Sequence, residues 1–295
     1  MLATWKYRPR DTYVQRLDPR TRLIFLVCVI FGVSLAGIWD MRIILPLFLL
    51  TLALFLMARV PWKDMKRTLI YIIVLVVVIV GINGLLTGRG GPTAVLRTPS
   101  PTLFEVPIAI PGTQIGVWIP VTVSRAWFAV VQILRMLTMA LLAIPLPFTM
   151  DPNIYGVTFR RLGIPDKVSF AMDLAFRFLP TLARDFSTTM DAQRARGYEL
   201  ERLGGGLFSR IRKLAPLIIP VTMQSTVTAE EVVDAMDLRA FGTAPRTWVR
   251  SLQYAPRDYA LISLGVFILA GCLISRYAFG FGQFWVPDFM YSLVP

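Results

Sequence analysis

Asp191-Ala192-Gln193-Arg194-Ala195-Arg196-Gly197-Tyr198 lies in a long polar segment flanked by strongly apolar ones. A looser copy, Ala235-Met236-Asp237-Leu238-Arg239-Ala240-Phe241-Gly242, follows in the same segment. Each ends an amphipathic stretch with an arginine beside a small residue. That pattern is poorly suited to holding a small molecule. It suits the end of a helix that projects from a membrane and inserts an arginine into another protein. The guanidinium offers a fixed fork of donors, and the small neighbour lets two backbones approach.

The composition supports a membrane setting. Hydrophobic residues make up 55% of the chain and charged residues 17%, with a mean hydropathy of +0.61. A soluble domain carries about 25% charged residues. The apolar excess is gathered into discrete runs, which predicts a multi-span membrane protein. Residues 1–22 are too polar for a secretory signal, so the first span is expected to drive insertion. The chain has no histidine and two cysteines, Cys28 and Cys272, each inside an apolar run. That inventory cannot build a disulfide framework or a Cys/His metal site. The net charge of +13 gathers in segments flanking the runs, as on a cytoplasmic membrane face, and no nucleic-acid module accompanies it.

The runs cover residues 23–39, 43–58, 69–86, 124–148 and 259–279. Each is near the roughly 20 residues that cross a bilayer core as helix. The expected fold is therefore all-α, a polytopic membrane bundle of about five spans with a cytoplasmic domain of long amphipathic helices. Basic residues set the orientation. Six fall in residues 1–22 and four in 59–67, whereas the loop between the first two runs holds only Arg42, and residues 87–123 hold only Arg89 and Arg97. This places the N-terminus in the cytoplasm and the C-terminus outside. Three regions follow: a tail and four spans over 1–148, with an external segment at 88–120; a cytoplasmic region over 149–257; and a last span with an external tail over 258–295. Within the external segment, alternating apolar residues around Pro111-Gly112 suggest a small hairpin or an ordered loop.

Region 149–257 is periodic and helical. Asp151-Pro152 resembles a helix start. Asp166 is a candidate cap for a helix over 167–202 that contains Pro180, expected to kink it. Gly204-Gly205-Gly206 breaks the chain, and a second helix is expected over 207–241, interrupted by Pro216 and Pro220. The glycine triplet is no phosphate loop, because no Lys-Ser/Thr follows and no strand precedes it. Glu230, Glu231, Asp234 and Asp237 read as a solvated helix face. Without histidine no Ser/His/Asp or Cys/His set exists, and no carboxylate pair marks an enzyme.

Three further features carry alternatives. Leu17-Asp18-Pro19-Arg20-Thr21-Arg22-Leu23 reads locally as a turn with a capping Asp and arginines snorkelling to headgroups. Phe176-Arg177-Phe178-Leu179-Pro180 is either a kinked amphipathic helix with Arg177 at the headgroups or a pivot joining membrane and cytoplasmic parts. Arg135, in the middle of the fourth run, must face protein or water, with Asp173 or a backbone carbonyl as its partner.

Taken in order, Leu17-Asp18-Pro19-Arg20-Thr21, Arg177-Phe178-Leu179-Pro180 and Ala192-Gln193-Arg194-Ala195-Arg196-Gly197 resemble the transmembrane T component of energy-coupling factor (ECF) transporters, the family that includes the cobalt-type permease CbiQ. The likeness covers most of residues 15–245. It implies two cytoplasmic coupling helices, each ending in an Ala-Arg-Gly-like motif whose arginine docks in a groove of one of two ATP-hydrolysing subunits. Arg196, with Ala195 and Gly197, would be the first docking element. Arg239, with Ala240, Phe241 and Gly242, would be the second, where Ala240 replaces the usual glycine and the helix end could shift to Gly242. Asp18, Pro19, Arg20, Arg135, Arg177 and Pro180 would be structural or coupling residues.

The resemblance further implies a membrane-embedded S component that binds the substrate, a vitamin or a transition-metal ion. No cofactor or metal would be held by this chain, since ATP binds the partner subunits. The site would be a bacterial or archaeal cytoplasmic membrane, the other partner the lipid bilayer, and nucleic acid would play no part. Two rivals differ in class. A conventional ABC permease usually has one coupling element, where this chain has two. A membrane-embedded lipid-modifying enzyme would need a carboxylate or histidine cluster that the sequence lacks.

Overall fold

The computed structural model describes residues 12–83, 102–109, 116–198, 207–244, 248 and 252–292. Gly204, Gly205, Gly206 and the Pro111-Gly112 turn lie outside them. The chain separates into two compact units, one formed by Asp151–Leu252 and one by the segments on either side, through Met150 and from Gln253.

In the larger unit the helices are α1 (Pro19–Leu35), α2 (Met41–Met57), α3 (Trp62–Gly81), α4 (Val123–Ala143), the short α5 (Leu146–Thr149), α9 (Pro256–Tyr277) and the short α10 (Asp288–Ser292). A two-stranded antiparallel ribbon, β1 (Thr102–Ala109) and β2 (Gly116–Thr122), interrupts the helical chain, with Ile108 paired to Val117. The segments Val123–Thr149 and Pro256–Tyr277 are long and apolar enough to cross a membrane, and Met41–Met57 is a shorter apolar helix.

Local chemistry rather than apolar content sets where the helices begin. Asp18 accepts the Arg20 N–H at 2.9 Å and Pro19 opens the first turn, so α1 starts four residues before the apolar run at residue 23. Asp40 accepts the Arg42 N–H at 2.9 Å and starts α2. Pro256 opens α9, where Asp258 accepts the Ala255 N–H at 2.8 Å.

Small residues let α1 and α9 pack closely. A Cβ on Gly32 would stand 3.2 Å from the Leu269 Cα, and one on Gly265 would stand 3.1 Å from Phe25 Cδ2. Phe25, Val29, Val33 and Leu47 form one buried cluster, and Phe55, Met65, Leu141, Ile144 and Phe148 another.

The smaller unit starts as its sequence suggests. Asp151 caps a 3-10 turn, Pro152–Ile154, through the Asn153 N–H at 3.0 Å. Then come α6 (Tyr155–Arg161), α7 (Asp166–Ala195) and α8 (Leu207–Leu238). Three expectations need correction. Asp166 is not a cap: Pro165 holds that position, and Asp166, already helical, pairs with Arg160. α7 stops at Ala195, not near residue 202, because Gly197 turns the chain with φ +83°. α8 stops at Leu238, not at Phe241 or Gly242, for the analogous reason given below.

The helices α7 and α8 run antiparallel. Gln193, near the end of α7, donates from Nε2 to the Pro216 carbonyl at 3.2 Å, while Phe170, near its start, packs its ring against Phe241, tilted by 47° with centroids 4.9 Å apart. At ~1.5 Å rise, positions 170 and 193 are about 35 Å apart along α7. α6 seats against α7 through Gly156, whose missing Cβ would fall 2.5 Å from Asp173 Cβ and 2.8 Å from the Ser169 carbonyl.

Candidate functional site

The two arginine motifs fold into the same device. At the end of α7 the Gly197 N–H donates to the Arg194 carbonyl at 2.9 Å and the Tyr198 N–H to the Gln193 carbonyl at 3.0 Å. At the end of α8 the Ala240 N–H donates to the Asp237 carbonyl at 2.9 Å and the Phe241 N–H to the Met236 carbonyl at 3.0 Å. Each pair of bonds is a Schellman cap, which needs a left-handed residue just past the helix. Gly197 supplies it with φ +83°, and Ala240 supplies it with φ +51°. Arginine and aromatic therefore align: Arg196 with Arg239 at the cap, Tyr198 with Phe241 two residues on. Ala240 stands directly in the glycine position, so the second motif keeps its register and Gly242, with φ +99°, turns the chain only afterwards.

Both cap arginines are exposed, and among the described residues neither has an ion-pair partner. Their neighbour Arg194 differs: its Nη1 lies 3.3 Å from Asp191 Oδ1. Ala195, Gly197, Ala240 and Gly242 are exposed as well, and Leu238, just before Arg239, is 89% exposed. Since the hairpin is antiparallel, the two arginines stand at its opposite ends. Glu230, Glu231, Asp234 and Asp237 lie on exposed positions of α8.

The Asp18-Pro19-Arg20 motif proves to be interior. Asp18 Oδ1 accepts Arg20 Nε at 3.0 Å and Oδ2 accepts Nη2 at 2.7 Å. The Asp18 N–H in turn donates to Asp258 Oδ1 at 2.8 Å, and the Arg20 guanidinium covers the Tyr254 ring at 3.9 Å. Arg22 donates to the carbonyls of Thr149 at 3.0 Å and Leu17 at 2.9 Å. The capping aspartate was legible, but the snorkelling arginines were not correct: both are buried, because carboxylate and carbonyl partners lie within reach of their guanidinium groups. The motif staples the start of α1 to the start of α9. Asp258 and Tyr254, essential to it, carried no local signal in the sequence, being more than two hundred residues away.

Of the partners expected for Arg135, the structure supplies the carbonyl kind. Its Nη2 reaches the Val33 carbonyl at 3.4 Å and its guanidinium lies 4.4 Å from the Trp39 ring centroid. Arg177 is exposed on α7, one turn before Pro180, and the helix continues through that proline. Gln193 was missed as a contact residue; its role needs the α7–α8 register, which no single-helix pattern contains.

Comparison with known proteins bears on this arrangement. The family model described as CbiQ, cobalt transport protein, matches residues 10–249. The energy-coupling factor transporter transmembrane protein EcfT of Bacillus selenitireducens is 27% identical over 277 residues, covering 93% of this chain and 97% of that protein. The EcfT of Heliobacterium modesticaldum is 29% identical over 281 residues, covering 90% and 94%, and that of Bacillus subtilis is 28% identical over 276 residues, covering 91% and 95%. With the family match running through both cap motifs, this chain belongs to the CbiQ family of cobalt transport proteins, as a T component of the energy-coupling factor type, and is a membrane transport protein rather than an enzyme.

Proposed function

We propose that this chain couples the ATP-driven motion of two ATPase subunits to a membrane-embedded S component that takes up a micronutrient, a vitamin or a transition-metal ion. The observation that carries the reading is the duplicated cap: two exposed arginines without described ion-pair partners, at opposite ends of one antiparallel helix pair. Two ATPases closing on ATP would each seat one arginine, with the small residues Ala195 and Gly197 or Ala240 and Gly242 allowing close approach. A buried fork meeting carboxylates or carbonyls makes charge-assisted bonds. The pair is also short of partners for its apolar surface. Ile218, Ile219, Met223, Val227 and Val233 are each about half exposed or more, and large apolar patches mark interaction sites.

In this reading ATP and its metal belong to the partner subunits, and the S component selects the substrate. In it residues 149–257 lie in the cytoplasm of a bacterial or archaeal cell, the helices cross its cytoplasmic membrane about five times, and the C-terminus lies outside, an orientation that the distribution of basic residues supports. Arg177 and Pro180 would pass motion along α7, and the Asp18–Arg20–Asp258 staple would hold the bundle against that motion.

Co-expression with candidate ATPases and S components from the same organism tests the reading. A tagged chain should retain two ATPases and a small integral protein through purification and show no ATP hydrolysis by itself. Isolation without either ATPase would refute the coupling role.

A further inference from the structure

An α-helix satisfies the carbonyl of residue i with the N–H of residue i+4. In α8 that donor is missing at two positions, because residues 216 and 220 are both prolines. The Pro216 carbonyl would look to residue 220, which is a proline and has no N–H. This gap is filled from the other helix, where Gln193 Nε2 donates to this carbonyl at 3.2 Å. The next residue of α8, Leu217, is fully buried, which fixes the segment sideways. Gln193 serves the first cap as well, since its own carbonyl accepts the Tyr198 N–H at 3.0 Å. One residue thus closes the turn that carries Arg196 and grips α8 where its hydrogen-bond ladder is open.

We propose that Gln193 is a positioning residue: its side-chain amide latches the Arg196 end of α7 to the proline break of α8 and fixes the register of the helix pair there. The proposal rests on the coupling function above for its purpose, though not for its geometry. Displacement driven from the ATPases then falls on the Arg239 end of α8, which lies beyond Pro220. The pair moves about the latch instead of sliding past it. Arg194 and Arg196 follow Gln193 in the chain without sharing this contact; Arg194 is engaged by Asp191.

The test separates a donor from a space-filler. Gln193→Glu keeps shape and size but, ionised, has no N–H to give. Pro220→Ala restores the helix's own donor to the Pro216 carbonyl and so makes the latch redundant. Spin labels at Thr188 on α7 and Met223 on α8, both exposed, report the separation near the latch in the full chain with Cys28 and Cys272 replaced by alanine. A narrow distance distribution is expected with Gln193, and a distribution at least twofold broader with Gln193→Glu. Placed in the Pro220→Ala chain, Gln193→Glu should bring no further broadening, as expected of residues sharing one contact. In the complex with copurified ATPases, ATP should leave the distance unchanged with Gln193 and shift or split it with Gln193→Glu. Equal widths with Gln193 and Gln193→Glu would overturn the latch, as would equal broadening with and without Pro220→Ala. A broader distribution whose response to ATP matches that of the unsubstituted chain would overturn the positioning role. The widths are read on the chain alone, so absence of copurifying ATPases would count against the coupling function and leave the latch to be decided by its own measurement.

Discussion

Ala240 occupies at the end of α8 the backbone position that Gly197 occupies at the end of α7. Both residues have positive φ, +51° and +83°, and both close the same pair of cap bonds. Only the alanine carries a Cβ against the following carbonyl, a strain of roughly 1–2 kcal/mol. Ala240→Gly should therefore stabilise the smaller unit by about 1 kcal/mol once the extra flexibility of glycine is subtracted. Gly197→Ala should destabilise it by a similar amount. Thermal unfolding in detergent should show opposite shifts for the two variants.

Gly156 is constrained by space and not by φ. An added Cβ would meet Asp173 Cβ at 2.5 Å and the Ser169 carbonyl at 2.8 Å. Neither can rotate away, one being backbone and the other a Cβ fixed to it. Gly156→Ala should push α6 off α7 and cost about 1–3 kcal/mol, as overpacking does. Gly163, with open space around it but φ +97°, is the comparison: its alanine variant suffers backbone strain without a clash. Protease resistance of the region around α6 should fall in the Gly156 variant and much less in the Gly163 variant.

Arg20 is buried with the carboxylate of Asp18 and sits over Tyr254. Removing one partner of a buried pair costs about 3–5 kcal/mol, since the other charge stays behind. Arg20→Ala should lower the midpoint of thermal unfolding sharply. Asp258→Asn should cost less, because one amide oxygen can still accept from either the Asp18 or the Ala255 N–H. Similar losses from both variants would show that the staple is not organised around the arginine pair.

The sequence exposes what is periodic or local. Apolar runs mark the positions of α1, α2, α3, α4 and α9, Asp151-Pro152 marks the turn before α6, and Asp18 is recognisable as a cap. Pairings across the chain are invisible to such patterns. Arg20 and Arg22 look like headgroup residues until Asp258, Tyr254 and the Thr149 carbonyl are brought beside them. The end of α8 was misjudged because alanine seldom takes a left-handed conformation, and only the cap bonds show that Ala240 does. Arg196 and Arg239 were legible as a pair because each is an arginine beside a small residue at the end of an amphipathic stretch. Gln193 was not, because its partner is a carbonyl freed by a proline on another helix.

Topology can be read by labelling. In the proposed orientation, argued from the charge asymmetry, Gln283 is outside and Thr188 inside the cell. Both are exposed, while Cys28 and Cys272 are buried. A membrane-impermeant thiol reagent added to intact cells should modify a cysteine at 283 and spare one at 188. Labelling of 188 without 283 would reverse the orientation, and labelling of both would break the span count.

The central claim is that Arg196 and Arg239 anchor this chain to two ATPases. Truncating one partner of a buried charge pair costs about 2–5 kcal/mol, or roughly 30- to 4000-fold in affinity. Arg196→Ala and Arg239→Ala should each weaken ATPase retention, and lysine should rescue poorly because it lacks the planar fork. Arg194→Ala is the control, its guanidinium being paired with Asp191. The decisive measurement is pull-down of both ATPases by the chain carrying Arg196→Ala and Arg239→Ala together. Loss of both ATPases, with the chain still folded and membrane-inserted and the Arg194 variant still bound, is the predicted result. Full retention of both by the doubly substituted chain would contradict the account.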